Sequence, residues 1–142
     1  MLLRTKIPDV VGALYGLFFA GTGCLIAVAT VMGWPSPRQP TLAAQAFTDA
    51  LDASRIVNPL LAMTYVVGGL ALVFRRTAPL GIVLLAPAIG TIFFFHLVLS
   101  GQVVWGCANA LLFAALAWRY RGRLRLLWSD APLARATGSK AQ

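Results

Sequence analysis

The sequence contains no glutamate, and its four acidic residues, Asp9, Asp49, Asp52 and Asp130, are all aspartate. That shortage removes the paired carboxylates on which much acid–base chemistry depends. A single histidine, His96, leaves too few ligands for a histidine–carboxylate metal centre. The two cysteines, Cys24 and Cys107, form no CxxC pair, and so small a number excludes the disulfide framework of a small secreted domain. Charged residues make up only 11% of the chain, against about 25% in soluble domains. Hydrophobic residues make up 59% and the mean hydropathy is +0.79. A surface facing mainly water is therefore excluded. No Ser–His–Asp arrangement is readable, and Gly21-Thr22-Gly23 lies in an apolar run, where it cannot serve as a phosphate loop. No catalytic residue and no metal site are expected.

What is present is cationic and apolar. Twelve Lys and Arg residues give a net charge of +8. Such a charge can serve nucleic acid, but here the basic residues sit at the ends of apolar runs and no recognition motif accompanies them. A lipid bilayer is the expected partner and nucleic acid is not.

A bilayer core of about 30 Å needs about 20 apolar helical residues. Four stretches approach this length, at residues 10–34, 56–74, 80–99 and 103–118. The expected fold is all-α: an integral membrane four-helix bundle, up-down-up-down, in a single transmembrane domain over residues 1–128. Residues 129–142 are expected to form a disordered cytoplasmic tail. Arg4, Lys6, Arg75, Arg76, Arg119, Arg121, Arg123, Arg125, Arg135 and Lys140 fall on one side of this arrangement. Only Arg38 and Arg55 fall on the other. The positive-inside rule then puts both termini in the cytoplasm, in a multi-pass membrane protein. A signal peptide is the competing reading of the first stretch, with Ala27-Val28-Ala29 as its cleavage site. The run continues apolar to Trp34, longer than a signal core, and an uncleaved span is expected.

Between the first two spans, Pro35, Pro37 and Pro40 interrupt helix formation. Thr41 then offers an N-cap to a short amphipathic helix over residues 42–53 in this outer loop. Leu42, Ala46, Phe47, Ala50 and Leu51 are expected on its apolar face. Small residues allow helix backbones to approach closely in lipid. Gly12, Gly16, Ala20 and Cys24 form such a stripe in the first span, and Gly106, Ala110 and Ala114 another in the fourth. These stripes make spans one and four candidate neighbours, or else mark a surface for a homo-oligomer. Pro87 is expected to kink the third span.

Polar groups inside a membrane are costly and each suggests a function. His96, Tyr65, Thr91 and Asn109 can be read as a ligand-binding pocket in the outer half of the bundle, suited to a quinone or another amphipathic molecule. The competing reading makes them interhelical hydrogen-bonding groups. Cys24 and Cys107 lie at similar depth and form a candidate thiol pair; as small buried residues they would have no chemistry.

From Thr41 to Trp128 an ordered set of short segments carries a resemblance. The segments are Asn58-Pro59-Leu60-Leu61, Val67-Gly68-Gly69-Leu70-Ala71-Leu72, Ala78-Pro79-Leu80-Gly81-Ile82-Val83-Leu84-Leu85-Ala86-Pro87, Phe94-Phe95-His96-Leu97 and Ala117-Trp118-Arg119-Tyr120-Arg121. In order and spacing they resemble the DoxX-like family of small four-helix bacterial membrane proteins. The resemblance implies an inner-membrane protein associated with redox or quinone systems, and it matches His96 to a histidine typical of the family. Many relatives carry Glu where this chain has Tyr65, and often Asn where it has Thr22 and Thr91. The expected role is thus a non-catalytic accessory or assembly component of a membrane redox system, working with a membrane-protein partner. The alternative is an oxidoreductase that handles a quinone or small lipophile around His96.

Overall fold

The computed structural model describes residues 3–126, with side chains from 9 to 125. The chain is all-helical, with no strand among the described residues. Helix α1 spans Leu3–Met32, α2 Leu42–Ser54, α3 Val57–Val73, α4 Ala78–Phe94 and α5 Val103–Leu126. A π-helical turn, Phe95–Leu99, continues α4 directly. The expected tail at residues 129–142 lies outside the described residues.

Three of these segments, Asp9–Met32, Ala78–Leu99 and Val103–Arg125, are long and apolar enough to cross a membrane by themselves. Helix α3 has 17 residues, or about 26 Å at 1.5 Å per residue. It qualifies only together with α2, from which it is bent by 93°. Much of the apolar surface faces outward, including Leu14, Phe18, Leu25, Val31, Leu60, Phe94 and Leu111. In water so large an apolar surface would drive aggregation; in lipid it is solvated.

Local chemistry fixes where the helices stop. At the end of α1, Gly33 adopts φ 67°, and the Trp34 N–H donates to the Ala29 carbonyl at 2.9 Å. The left-handed glycine ends the helix two residues before the expected limit at Trp34. Pro79 sits in the first turn of α4, where its missing N–H costs nothing, and α4 starts earlier than expected. Pro87 lies inside α4 without ending it. The irregularity comes further along, where the Ser100 N–H donates to the Phe95 carbonyl at 2.9 Å across the π turn. Helix α5 continues two turns past the expected limit at residue 118 and carries Arg119, Arg121, Arg123 and Arg125 on helical backbone.

Helix α3 is the centre of the packing. Two adjacent glycines serve different neighbours. A Cβ on Gly69 would lie 2.5 Å from the Gly16 carbonyl oxygen of α1, and one on Gly68 would lie 2.8 Å from Leu85 of α4. Gly16 faces Gly69 and Val73, whereas Gly23 faces Ala62 and Val66, so α1 and α3 run in opposite directions. On the other side Gly81 of α4 closes on the Gly68 carbonyl and Leu72.

The small-residue stripes therefore meet different partners from those expected. Within the stripe of α1, Gly16 and Ala20 pack on α3, Gly12 meets Leu116 of the last helix, and Cys24 turns outward. In α5, Gly106 packs on His96 and Phe93 of α4, while Ala114 is exposed. Helices α1 and α5 do meet, but through larger groups: Leu116 against Gly12, and Phe113 with its ring centroid 6.5 Å from that of Tyr15. Phe19 and Leu85, with 1% and 0% exposure, are the deepest large side chains of the core.

Helix α2 lies across the end of the bundle. Thr41 caps it as expected, its hydroxyl accepting from the Ala44 N–H at 3.1 Å and donating to the Leu99 carbonyl at 2.5 Å. This one side chain ties the start of α2 to the end of the π turn. The inward face is Ala44, Phe47, Thr48 and Leu51, a strict i, i+3, i+4, i+7 set. Leu42, Ala46 and Ala50, expected on that face, point away, and Leu42 is 91% exposed. The expected face is rotated because it was centred on Leu42, whereas the helix seats on Ala44.

Candidate functional site

Of the four residues read as a pocket, the structure places His96 at the junction with α5. Its Nδ1 shares a hydrogen bond of 2.8 Å with the Ser100 hydroxyl one turn on. Ser100 is buried, and its oxygen also accepts from the Gln102 N–H at 3.3 Å. Gly101, at φ 69°, turns the chain into α5 so that Gly106 comes under the His96 Cβ. A π turn widens the helix by one residue and is often found at functional sites; here it presents the His96 ring at the half-buried edge of α4.

Asn109 lies elsewhere, on the seam between α1 and α5. The Tyr15 hydroxyl donates a short hydrogen bond to the Asn109 side-chain oxygen. Tyr15 was not among the expected site residues. The signal was legible in principle, because a tyrosine inside a lipid-crossing run needs a partner for its hydroxyl. Tyr65 is buried on α3, edge-on to Phe19 with centroids 5.1 Å apart, and Tyr15 makes an edge contact with the same Phe19 at 4.9 Å. Tyr15, Phe19 and Tyr65 thus form an edge-to-face aromatic cluster in the core. Thr91 is exposed on the outer surface of α4, and its hydroxyl donates to the Pro87 carbonyl at 3.0 Å. That bond satisfies the threonine within its own helix. His96 and Ser100 form one pair, Tyr15 and Asn109 another, and Thr91 faces away from both.

Cys24 is exposed and Cys107 half-buried, and both thiols are free. Among the described residues no group of three or more His, Cys, Asp or Glu side chains could hold a metal ion.

A second polar centre lies beneath the proline-rich loop. Asp52 of α2 accepts from the Ser36 hydroxyl at 2.9 Å, from the Ser36 N–H at 3.3 Å and from the Asn58 side-chain amide at 2.7 Å. It thereby joins the loop, α2 and the start of α3. Below it opens a cleft of about 920 Å³ between α1, the loop and the α2–α3 bend. Its lining includes the apolar Leu25, Ile26 and Leu61 and the polar Asp52, Arg55 and Asn58. In the sequence Arg55 stands only as an outer-side charge, and nothing there joins it to Asp52 and Asn58.

At the opposite end of α1, Asp9 pairs with Arg75 at 3.7 Å and Arg119 at 3.5 Å. The Arg123 guanidinium donates to the Arg75 carbonyl at 2.7 Å. The Arg121 guanidinium lies 4.6 Å from the Trp118 ring centroid. Comparison with protein-family models, curated proteins and solved structures finds no match to the chain.

Proposed function

We propose that the protein is a multi-pass component of a bacterial inner membrane, crossing it four times in an up-down-up-down bundle with both termini in the cytoplasm. In this reading α3 is the second crossing and α2 lies in the plane of the outer interface, consistent with the 93° bend between them. Trp34 and Trp105 would stand at the outer boundary and Trp118 at the inner one, each exposed as an interfacial aromatic belt requires. Arg75, Arg119, Arg121, Arg123 and Arg125 gather at the inner end.

Its role is that of a non-catalytic accessory or assembly component of a membrane redox system, the role implied by the resemblance to the DoxX-like family. One observation carries the non-catalytic part. Among the described residues two pairs of interior polar groups are spent on each other, Tyr15 on Asn109 and His96 on Ser100, and the two pairs lie on different seams. Such pairs orient helices. The π turn at His96 favours a second reading, in which this edge of α4 handles a quinone or similar lipophile.

Titration of the purified protein in nanodiscs with decylubiquinone separates the two. The accessory reading expects no saturable binding. Saturable binding that disappears in His96→Ala, with melting unchanged, would establish the quinone reading instead. Topology is tested separately with single cysteines in a Cys24→Ser, Cys107→Ser background. A membrane-impermeant maleimide added outside should modify Gln39→Cys and spare Thr77→Cys.

A further inference from the structure

The cleft beneath the proline-rich loop plays no part in the reading above. Its lining carries one cation and one anion, Arg55 and Asp52, beside the apolar Leu25, Ile26 and Leu61. Arg55 caps the C-terminus of α2 with φ 54°, the one non-glycine residue at positive φ among the described residues. Glycine takes this conformation without the steric cost that a Cβ brings. The chain keeps an arginine where glycine would be easier, and strain of this kind points to a use for the side chain. Among the described residues Arg55 makes no ion pair, its ordered contact being the backbone N–H to the Asp52 carbonyl at 3.3 Å.

Asp52 is only partly used. Its Oδ1 accepts from Ser36 and Asn58, while Oδ2 accepts one bond, from the Ser36 N–H. A carboxylate has about four acceptor positions, so Oδ2 keeps a free one for an N–H donor. Arg55 and Asp52 stand one helical turn apart, in a lining shared with Leu25, Ile26 and Leu61.

We infer that this cleft binds a single aminophospholipid of the phosphatidylethanolamine type. Its phosphate lies on Arg55, its ammonium on Asp52, and one acyl chain along Leu25, Ile26 and Leu61. A guanidinium recognises phosphate oxygens through paired N–H donors. A primary ammonium donates to a carboxylate, which the trimethylammonium of phosphatidylcholine cannot do. Phosphatidylglycerol offers the phosphate without the ammonium and leaves Asp52 facing net negative charge. The inference rests on the proposed membrane crossing of α3 but not on any redox role.

The test is native mass spectrometry of the full chain in detergent, titrated separately with phosphatidylethanolamine, phosphatidylcholine and phosphatidylglycerol of identical chains, and with soluble phosphoethanolamine. Phosphatidylethanolamine should bind about tenfold more tightly than the other two lipids, the size of one charge-assisted hydrogen bond. Arg55→Gly should remove about that factor while melting stays the same or rises, because glycine suits the backbone there. Asp52→Asn should remove the preference for phosphatidylethanolamine over phosphatidylcholine, and it is read only if its melting matches the wild type. Equal binding of the three lipids, or unaltered binding in Arg55→Gly, overturns the inference. Soluble phosphoethanolamine binding as tightly as the lipid would assign the cleft to a soluble ligand and overturn it too. Because selectivity is read in detergent, a failure of the cysteine-labelling topology is recognised separately from a failure here.

Discussion

Helix α3 and helix α5 are attached to the bundle in opposite ways. On α3, backbone meets backbone on both sides: Gly69 on Gly16 and Ala20 of α1, and Gly81 of α4 on the Gly68 carbonyl and the Leu72 backbone. On the seam between α5 and α1, side chains fill the gap: the Tyr15–Asn109 hydrogen bond, Phe113, and Leu116 over Gly12. The difference teaches where rigidity lies. A backbone seam has no rotamers to adjust, so an added atom must move a whole helix. A side-chain seam can repack, because long groups change rotamer at modest cost.

The largest expected effect tests the backbone seam. A Cβ on Gly16 would sit 2.5 Å from a carbonyl oxygen and 3.1 Å from the Val73 nitrogen, and neither atom can rotate away. Gly16→Leu should destabilise by more than about 3 kcal/mol, the upper end of overpacking. Thermal melting in detergent measures it. Val31→Leu, at a site 84% exposed, is the control and should melt as the wild type. Ala110→Leu sharpens the comparison. Ala110 is half-buried on α5, next in sequence to Asn109 of the side-chain seam, and its loss should stay within about 1 kcal/mol. Equal losses at Gly16 and Ala110 would dissolve the distinction between the two seams.

Much of this architecture was legible in the sequence, and the reasons for the rest are physical. Apolar run length located the three helices long and apolar enough to cross a membrane, because a bilayer imposes a length that a soluble core does not; α3 reaches that measure only together with α2. Thr41 as N-cap was legible because its chemistry is local. Partner choice was not. Gly16 and Gly106 both announce close packing, but a glycine does not name the helix that approaches it. The inward face of α2 is not legible because Leu42 raises apolarity while being 91% exposed. The candidate site shows the same limit. His96, Tyr65, Thr91 and Asn109 all fall in the outer half of the expected bundle, but depth leaves the angle around each helix open, and Thr91 points outward. Asp52 was passed over because an acidic residue beyond a span reads as solvated, and only the fold brings Ser36 and Asn58 to it.

An intermediate effect tests the side-chain seam itself. Tyr15→Phe keeps the ring packing against Phe19 and removes only the hydroxyl that donates to Asn109. Interhelical hydrogen bonds of this kind contribute about 0.6 kcal/mol on average and rarely more than about 1.7 kcal/mol. The expected loss in a melting experiment lies within that range. In the Asn109→Ala background the same change should cost little further, because the side-chain acceptor is gone and only the backbone carbonyl of residue 109, 3.4 Å from the hydroxyl, remains. A full additional loss there would mean that the Tyr15 hydroxyl stabilises through another partner.

The smallest effect belongs to Asp9, which joins the two regions from outside. Its carboxylate meets Arg75, which follows α3, and Arg119 on α5, so one residue of α1 bridges the rigid seam and the adjustable one. The distances of 3.7 and 3.5 Å are long for charge-assisted bonds, and the Arg75 side chain is 62% exposed. Exposed ion pairs contribute from about 0 to 1 kcal/mol. Asp9→Asn should therefore lower stability by no more than about 0.5 kcal/mol at low salt. The deficit should vanish in concentrated salt, where the Debye length falls to about 3 Å at 1 M. A larger loss that persists in high salt would show that Asp9 fixes the angle between α1 and α5, making that seam more rigid than its side chains suggest.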